Sequence, residues 1–320
     1  MRAIRVTDFE TAPELLEIAQ PMPAKGEALV RIAACGLNFA DLLMCKGTYQ
    51  DTPATPFTLG MEIAGVVEAL GPDTDGPKPG TRVAIFAGQG GMAEYGVFPA
   101  NELITLPDAM PFEEAAGFMI AYGTSHLALT RRAKLRAGER LVVLGAAGGV
   151  GLTAIEIGVG LGAEVVAVAR GAAKLEVAKA AGATHLIDSD GADLRAELKA
   201  LGGVDVVYDA VGGAHFMDAL RATRPEGRIL TIGFASGDIP QIPANHILVK
   251  NIDVIGFYWG GYPKFAPEIV QNSLSELMQM YERGEIHPHI GATFPLEQAQ
   301  NALDFLRERK STGKVVVTTR

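Results

Sequence analysis

The sequence is poor in several things that usually announce a specialised role. It has only two cysteines, Cys35 and Cys45. Two thiols cannot build a disulfide framework and their spacing is not that of a metal site, so both read as core or near-core residues. Positive charge is in deficit: 28 Lys and Arg stand against 37 Asp and Glu, a net charge of -9. That balance argues against a nucleic-acid partner. The densest basic cluster, Arg131, Arg132, Lys134 and Arg136, reads as solvated surface. Long apolar runs are missing too. Asp8, Glu10 and Glu14 interrupt the N-terminus early, and uncharged runs elsewhere fall short of a bilayer span. A soluble protein of the reducing cytoplasm is expected, with no membrane span. There is no internal repeat and no low-complexity segment.

What is present is ordinary globular composition, 48% hydrophobic and 20% charged. A chain of 320 residues exceeds what one core usually supports, so two domains are expected. From Met1 to about Phe118, short strand-like runs at 28–35, 61–70, 81–87 and 93–99 alternate with Gly and Pro, the grammar of a compact β-domain. From about Met119 to Lys264 strands and helices alternate, with strands at 141–144, 164–169, 184–187, 204–209, 228–232 and 252–257 and helix-like stretches between the first five. Such alternation implies a parallel doubly wound sheet, because parallel neighbours need long crossovers. After Pro267 come an amphipathic helix at 268–283, a second helix at about 297–309 and a terminal strand at 313–319. This tail leaves the α/β alternation and is assigned back to the first domain. The expected domains are therefore 1–118, 119–264 inserted, and 265–320 returning, with a cleft for a small ligand between them.

The inserted domain is organised around Arg140 to Ala154, RLVVLGAAGGVGLTA. Leu141 to Leu144 form a buried strand, and a glycine-rich turn opens a helix. Gly148 and Gly151 take the second and third glycine places of the G-x-G-x-x-G fingerprint, with Ala146 at the first. Ala147, Gly148, Gly149, Val150 and Gly151 are the candidate diphosphate cradle, at a helix N-terminus where amides and dipole attract anions. An NAD enzyme usually ends the next strand in Asp or Glu. Here the strand ends Ala169-Arg170-Gly171, with Lys174 one turn on. Two cations and no carboxylate suit a 2′-phosphate, so NADPH is expected over NADH.

In order and spacing GLNFADLL (36–43), LGMEIAGVV (59–67), YGTSHLAL (122–129), GAAGGVG (145–151), DAVGG (209–213) and TGKVVV (312–317) resemble the medium-chain dehydrogenase/reductase superfamily, in particular its zinc-free quinone oxidoreductase branch. The resemblance spans nearly the whole chain. It implies a GroES-like β-rich catalytic domain carrying an inserted Rossmann domain. The places of the catalytic zinc ligands hold Asn38, Met61 and Thr124, a set zinc does not choose, and the four-cysteine lobe is missing, so no metal is expected. The same resemblance places Asn38 beside the nicotinamide ribose and Thr124 near the nicotinamide. It places Gly233 and Phe234 on the loop passing that ring, and Lys314 near the cofactor phosphates. Asp41 and Glu62 are read as structural and His126 as a core histidine. Ser189 stands where relatives often carry a phosphate-binding Tyr, and Leu43 where they carry a pocket Tyr. Asn38, Leu43, Phe257 and Tyr258 are the candidate substrate pocket, although the aromatic pair would equally complete a core or a subunit contact.

These residues imply an NADPH-dependent reductase that passes hydride to a quinone or another conjugated carbonyl, whose own conjugation makes a metal unnecessary. Two alternatives stand beside it: an enoyl or alkenal reductase, and an NADPH-binding structural or regulatory protein without turnover. No side chain is assigned as proton donor. A homodimer joined along the 252–257 strand is expected from the resemblance.

Overall fold

Runs of Val, Ile and Ala broken by turns give the first part of the chain its eight strands. In the computed structural model, which describes residues 1–319, they are β1 (Arg2–Val6), β2 (Glu14–Glu17), β3 (Glu27–Leu37), β4 (Phe57–Thr58), β5 (Glu62–Leu70), β6 (Arg82–Phe86), β7 (Tyr95–Pro99) and β8 (Ile104–Thr105). β1 pairs antiparallel with β2 and β4. The long β3 is the hub of a larger sheet, antiparallel to both β5 and β7, and β6 extends it from β5 to β8. Its inward residues, among them Val30, Ile32, Ile63, Val67, Val83, Ile85 and Phe98, form one buried cluster. Both cysteines lie in this unit as free, buried thiols. Burial pushes Cys35 well above the usual thiol range and Cys45 up to about 12, which leaves neither reactive.

The second unit follows from near-continuous apolar strands, which need a helical layer on each face. β9 (Arg140–Leu144), β10 (Glu164–Ala169), β11 (His185–Asp188), β12 (Val204–Asp209), β13 (Thr223–Thr231) and β14 (Asp253–Gly256) lie in the order β11-β10-β9-β12-β13-β14. Every pairing in this sheet is parallel. The order reverses at β9, so the crevice beyond its C-terminal end, between β10 and β12, is where such sheets bind ligands. A helix also precedes the sixth strand, Ala244–Lys250, which the sequence pattern does not announce. None of its residues is buried, so it has no apolar stripe to read.

Two strands, β15 (Ile290–Pro295) and β16 (Lys314–Thr318), then rejoin the first sheet, β16 antiparallel to β3. The chain thus forms one unit from Met1–Met119 with the segment beginning at Pro288, and another from Ile120–His287. The division differs from the expected one at the second crossing. Residues 265–287 stay with the doubly wound unit rather than returning. The helix Pro267–Glu282 buries Val270, Ser273, Leu274 and Leu277, and Ser273 is hydrogen-bonded at 2.8 Å to His126 of the same unit. Among the described residues no helix is long and apolar enough to cross a membrane.

Candidate active site

The glycine-rich turn has the geometry of an anion cradle. β9 ends at Leu144, and Gly145 turns the chain at φ +74°, a conformation that side chains other than glycine rarely adopt. The tight-turn role therefore falls to Gly145, not to position 146, where the sequence pattern puts it; Ala146 is simply buried. The helix Gly149–Gly160 starts at once, with Gly148 as its N-cap. A Cβ at Gly151 would sit 2.2 Å from the Gly145 carbonyl oxygen and 2.8 Å from the Ala146 backbone. Helix and turn can approach this closely only because residue 151 has no side chain. At Gly148 such a Cβ would meet only the Gly145 carbonyl oxygen, at 3.3 Å, a tight contact that a shift of a few tenths of an ångström relieves, so the protein itself requires that glycine far less than Gly151. Its bareness faces whatever the helix N-terminus binds.

Beyond β10, Arg170 is exposed and Lys174 half-buried, flanking Gly171 at φ +83°. Asp188 at the end of β11 lies opposite Ala169, and its Oδ1 accepts the Gly171 and Asp190 amides at 3.0 Å each. Those bonds hold its carboxyl below the usual range. The sequence does not single this residue out, because it stands on the third strand and not the second. Its role is to fix the turn that carries Arg170. Ser189 follows, half-buried, with its amide on the Ala169 carbonyl at 3.0 Å.

Thr124 lies on the helix Met119–His126, which continues as a π-helical turn to Arg132. Its neighbour Ser125 ties that helix to the glycine-rich one: Ser125 Oγ donates to the Val150 carbonyl at 3.0 Å and contacts Thr153 Oγ1 at 2.7 Å and Tyr208 Oη at 3.0 Å. Thr153 Oγ1 in turn donates to the Ala121 carbonyl at 3.0 Å. This buried hydroxyl network fixes Thr124 relative to the cradle. Its members read in the sequence as isolated polar residues inside apolar elements, which is the signal that was available. His126 is a satisfied interior histidine, with Nδ1 on Ser273 and Nε2 3.5 Å from Glu276; burial lowers its pKa. Gly233 and Phe234 follow β13, both half-buried, with the Gly233 amide 3.3 Å from the Asp209 carbonyl.

The aromatic pair separates. Phe257 is buried with its ring 5.4 Å from Tyr262, so it completes a core; Tyr258 is the exposed member, at 37%. Phe257 was expected to wall a substrate pocket; in the structure it packs on Tyr262 with little of it exposed. Trp259 is buried against Gly123, beside Thr124.

In the other unit, strand register assembles a charged cluster. Gly36 of β3 stands opposite Glu62 of β5, and Leu37 opposite Val315 of β16. Glu62 and Lys314 are thereby brought to the end of β3, where Asn38 begins the short helix Phe39–Met44. Lys314 Nζ donates to Asn38 Oδ1 at 2.8 Å and to Glu62 Oε2 at 2.9 Å, and Asn38 Nδ2 lies 3.3 Å from both Glu62 Oε2 and the Gly36 carbonyl. Lys314, expected near the cofactor phosphates, is 7% exposed, and its ammonium bonds these two side chains. Met61, at a zinc-ligand place, is buried, and Leu43 is half-buried on the helix. Among the described residues no three His, Cys, Asp or Glu side chains gather as a metal site.

Asp41, fully buried, accepts the Asn38 amide through Oδ2 at 2.7 Å. Burial, partly offset by that bond and by Lys314, pushes its carboxyl up to about 7. A carboxyl raised in the folded state stabilises below its ordinary pKa near 4, and that contribution is lost as pH rises through about 7. Asp41→Asn keeps the acceptor without the charge. It is expected to be more stable than the parent at pH 8, by about 1–3 kcal/mol, and to lose that advantage at pH 5. Thermal melts of both proteins at the two pH values check this; parallel profiles would contradict it.

Comparison with known proteins places these features. Residues 24–108 match the family described as alcohol dehydrogenase GroES-like domain, and residues 149–280 the family described as zinc-binding dehydrogenase. A quinone oxidoreductase-like protein 2 homolog of Nematostella vectensis is 39% identical over 92% of this chain and 83% of its own. The quinone oxidoreductase of Thermus thermophilus, solved alone and with NADPH, superposes with a TM-score of 0.88 at 34% identity, covering 99% of this chain and 100% of that one. The Escherichia coli quinone oxidoreductase complexed with NADPH gives 0.91 at 28% identity, over 99% and 100%.

Proposed function

Because the chain belongs to the quinone oxidoreductase branch of the medium-chain dehydrogenase/reductase superfamily, we propose that it is an NADPH-dependent reductase that passes hydride to a quinone or related conjugated carbonyl without a metal. The observation that carries the reading is the end of β10. Arg170 projects there with Lys174 close behind, and the nearby carboxylate, Asp188, is turned onto backbone amides. A 2′-phosphate meets cations in such a place, and a ribose 2′-hydroxyl finds no free acid.

The residues fit the dinucleotide. The bare surface at Gly148 and the amides of Gly149, Val150 and Gly151 would hold the diphosphate. Thr124, held by the Ser125 network, and Gly233 with Phe234 would border the nicotinamide. NADPH supplies the hydride when bound; the chain's task is to orient and to exclude water. The former ligand places do not suit a metal, since the Asn38 amide is engaged by Lys314 and Glu62 and Met61 offers only a buried thioether. NADPH oxidation by the chelator-treated protein against quinones, enones, enoyl thioesters and simple aldehydes tests this. Preference for quinones supports it. Preference for enoyl thioesters or enones selects the alkene-reductase reading, favoured by the hydroxyl-free Leu43. Tight binding without turnover selects the binding protein.

We also propose a homodimer along β14. This edge strand has β13 on one side only, and Leu248 and Val249 on the preceding helix are 77% and 78% exposed. The double substitution Leu248→Glu, Val249→Glu is expected to halve the mass seen by light scattering; a wild-type monomer would contradict the proposal.

A further inference from the structure

The outer face of the large sheet in the first unit carries a hollow that the reductase reading does not use. Along β3 the side chains of Ile32 and Ala34 are buried in the core, so Arg31 and Ala33 stand on the opposite face, and Val66 of β5, paired with Arg31, stands beside them. The helix Phe112–Ala116 packs against β3, β5, β15 and β16. Its first two residues, Phe112 and Glu113, complete a hollow of about 370 Å³ with Thr318 of β16 and, at the exposed rim, Thr293 of β15. That volume is within the range of small-molecule sites. The floor, Ala33 and Val66, is apolar and half-buried. The Phe112 wall is held in place, because the Arg82 guanidinium lies 4.5 Å from its ring centre and is itself bonded to the carbonyls of Pro107, Asp108 and Met110.

Two opposite charges line this hollow without pairing with each other. Arg31 gives only Nε to Glu68 Oε2, at 3.2 Å, and the two terminal nitrogens of its guanidinium make no hydrogen bond among the described residues. Glu113 is half-buried, and its carboxylate takes part in no ion pair or hydrogen bond among the described residues. The Thr318 hydroxyl donates to the Phe294 carbonyl at 3.4 Å and keeps its acceptor lone pairs. A simple anion would be drawn to Arg31 but would also face Glu113, and a simple cation would meet the reverse. A ligand carrying both signs satisfies both groups, with the guanidinium fork suited to a carboxylate. We propose that this hollow binds a free amino acid with an apolar side chain, its carboxylate on Arg31, its ammonium on Glu113 and its hydrocarbon part against Ala33, Val66 and Phe112. The site lies wholly within the first unit and does not depend on the reading of the protein as an NADPH reductase.

Calorimetric titration of the full chain tests this with L-leucine and two analogues that each lack one charge, 4-methylpentanoate and 3-methylbutylamine. Leucine is expected to bind saturably with a Kd of about 1 mM or below, and each analogue to bind about tenfold more weakly or worse. Arg31→Met is expected to bring leucine down to the affinity of the amine, and Glu113→Gln to bring it down to that of the acid. Both positions are on the outer face, so both variants are expected to melt within about 5 °C of the parent and to keep NADPH affinity within about twofold. Absence of saturable leucine binding by the parent overturns the proposal. So does an analogue that binds as tightly as leucine, or leucine affinity that is unchanged in either folded variant. The parent titration needs no variant to fold, and a failure of NADPH binding would leave its result untouched.

Discussion

Gly151→Ala is expected to destabilise the protein by about 3 kcal/mol or more, whereas Gly148→Ala, three residues earlier, is expected to fold almost as well as the parent and lose cofactor affinity. The two glycines differ in what their missing side chains leave room for. At 151 an added methyl would meet the Gly145 oxygen at 2.2 Å and the Ala146 backbone at 2.8 Å, all main-chain atoms that cannot swing aside. The strand-to-helix turn would have to open, and with it the Ser125, Thr153 and Tyr208 bonds that anchor the neighbouring helix. At 148 the one close neighbour is the Gly145 oxygen at 3.3 Å, which a shift of a few tenths of an ångström relieves, and the cost is that of an Ala at an N-cap, about 1 kcal/mol or less. The methyl would stand where a diphosphate approaches the amides, so NADPH binding should weaken by about tenfold or more. Denaturant melts and NADPH titration of both variants separate the two effects. Equal stability losses, or full affinity in Gly148→Ala, would contradict the cradle.

Arg170→Ala is expected to weaken NADPH binding by about 10- to 100-fold and NADH binding by less than about twofold. The guanidinium is exposed on a turn whose shape is set by Asp188, so its loss removes charge without disturbing the fold. The opposite preference would need a carboxylate free to take the ribose 2′-hydroxyl, and Asp188 is already committed to two amides. The ratio of the two affinities in parent and variant measures the effect, and an equal loss for both dinucleotides would remove the 2′-phosphate assignment.

How much of this was legible in the sequence depends on how far each feature reaches along the chain. The strands of the doubly wound sheet were legible because Leu141 to Leu144 and Glu164 to Ala169 are continuous apolar runs, and β10 and β12 fall on the expected residues. β2 was not, since its four residues are mostly exposed and offer no alternation. The helix at 267–282 was legible as a helix, but an apolar stripe records that a face is buried and not against which unit, so its assignment went astray. The same limit explains the Asn38 cluster. Asn38, Glu62 and Lys314 each stood out singly, yet Lys314 lies 252 positions from Glu62 and only the β3, β5 and β16 register joins them. The turn glycine was misplaced by one residue for a local reason, because the fingerprint counts residues whereas the backbone selects Gly145 by its left-handed φ.

Metal-free hydride transfer from NADPH is the central claim. The most direct measurement is the rate of NADPH oxidation with a simple p-quinone by chelator-treated protein whose metal content has been assayed, with and without added zinc. The expected result is full quinone-dependent turnover without metal, indifferent to zinc and much slower with NADH. Turnover that appears only when zinc is restored, or that runs equally well on NADH, would contradict it.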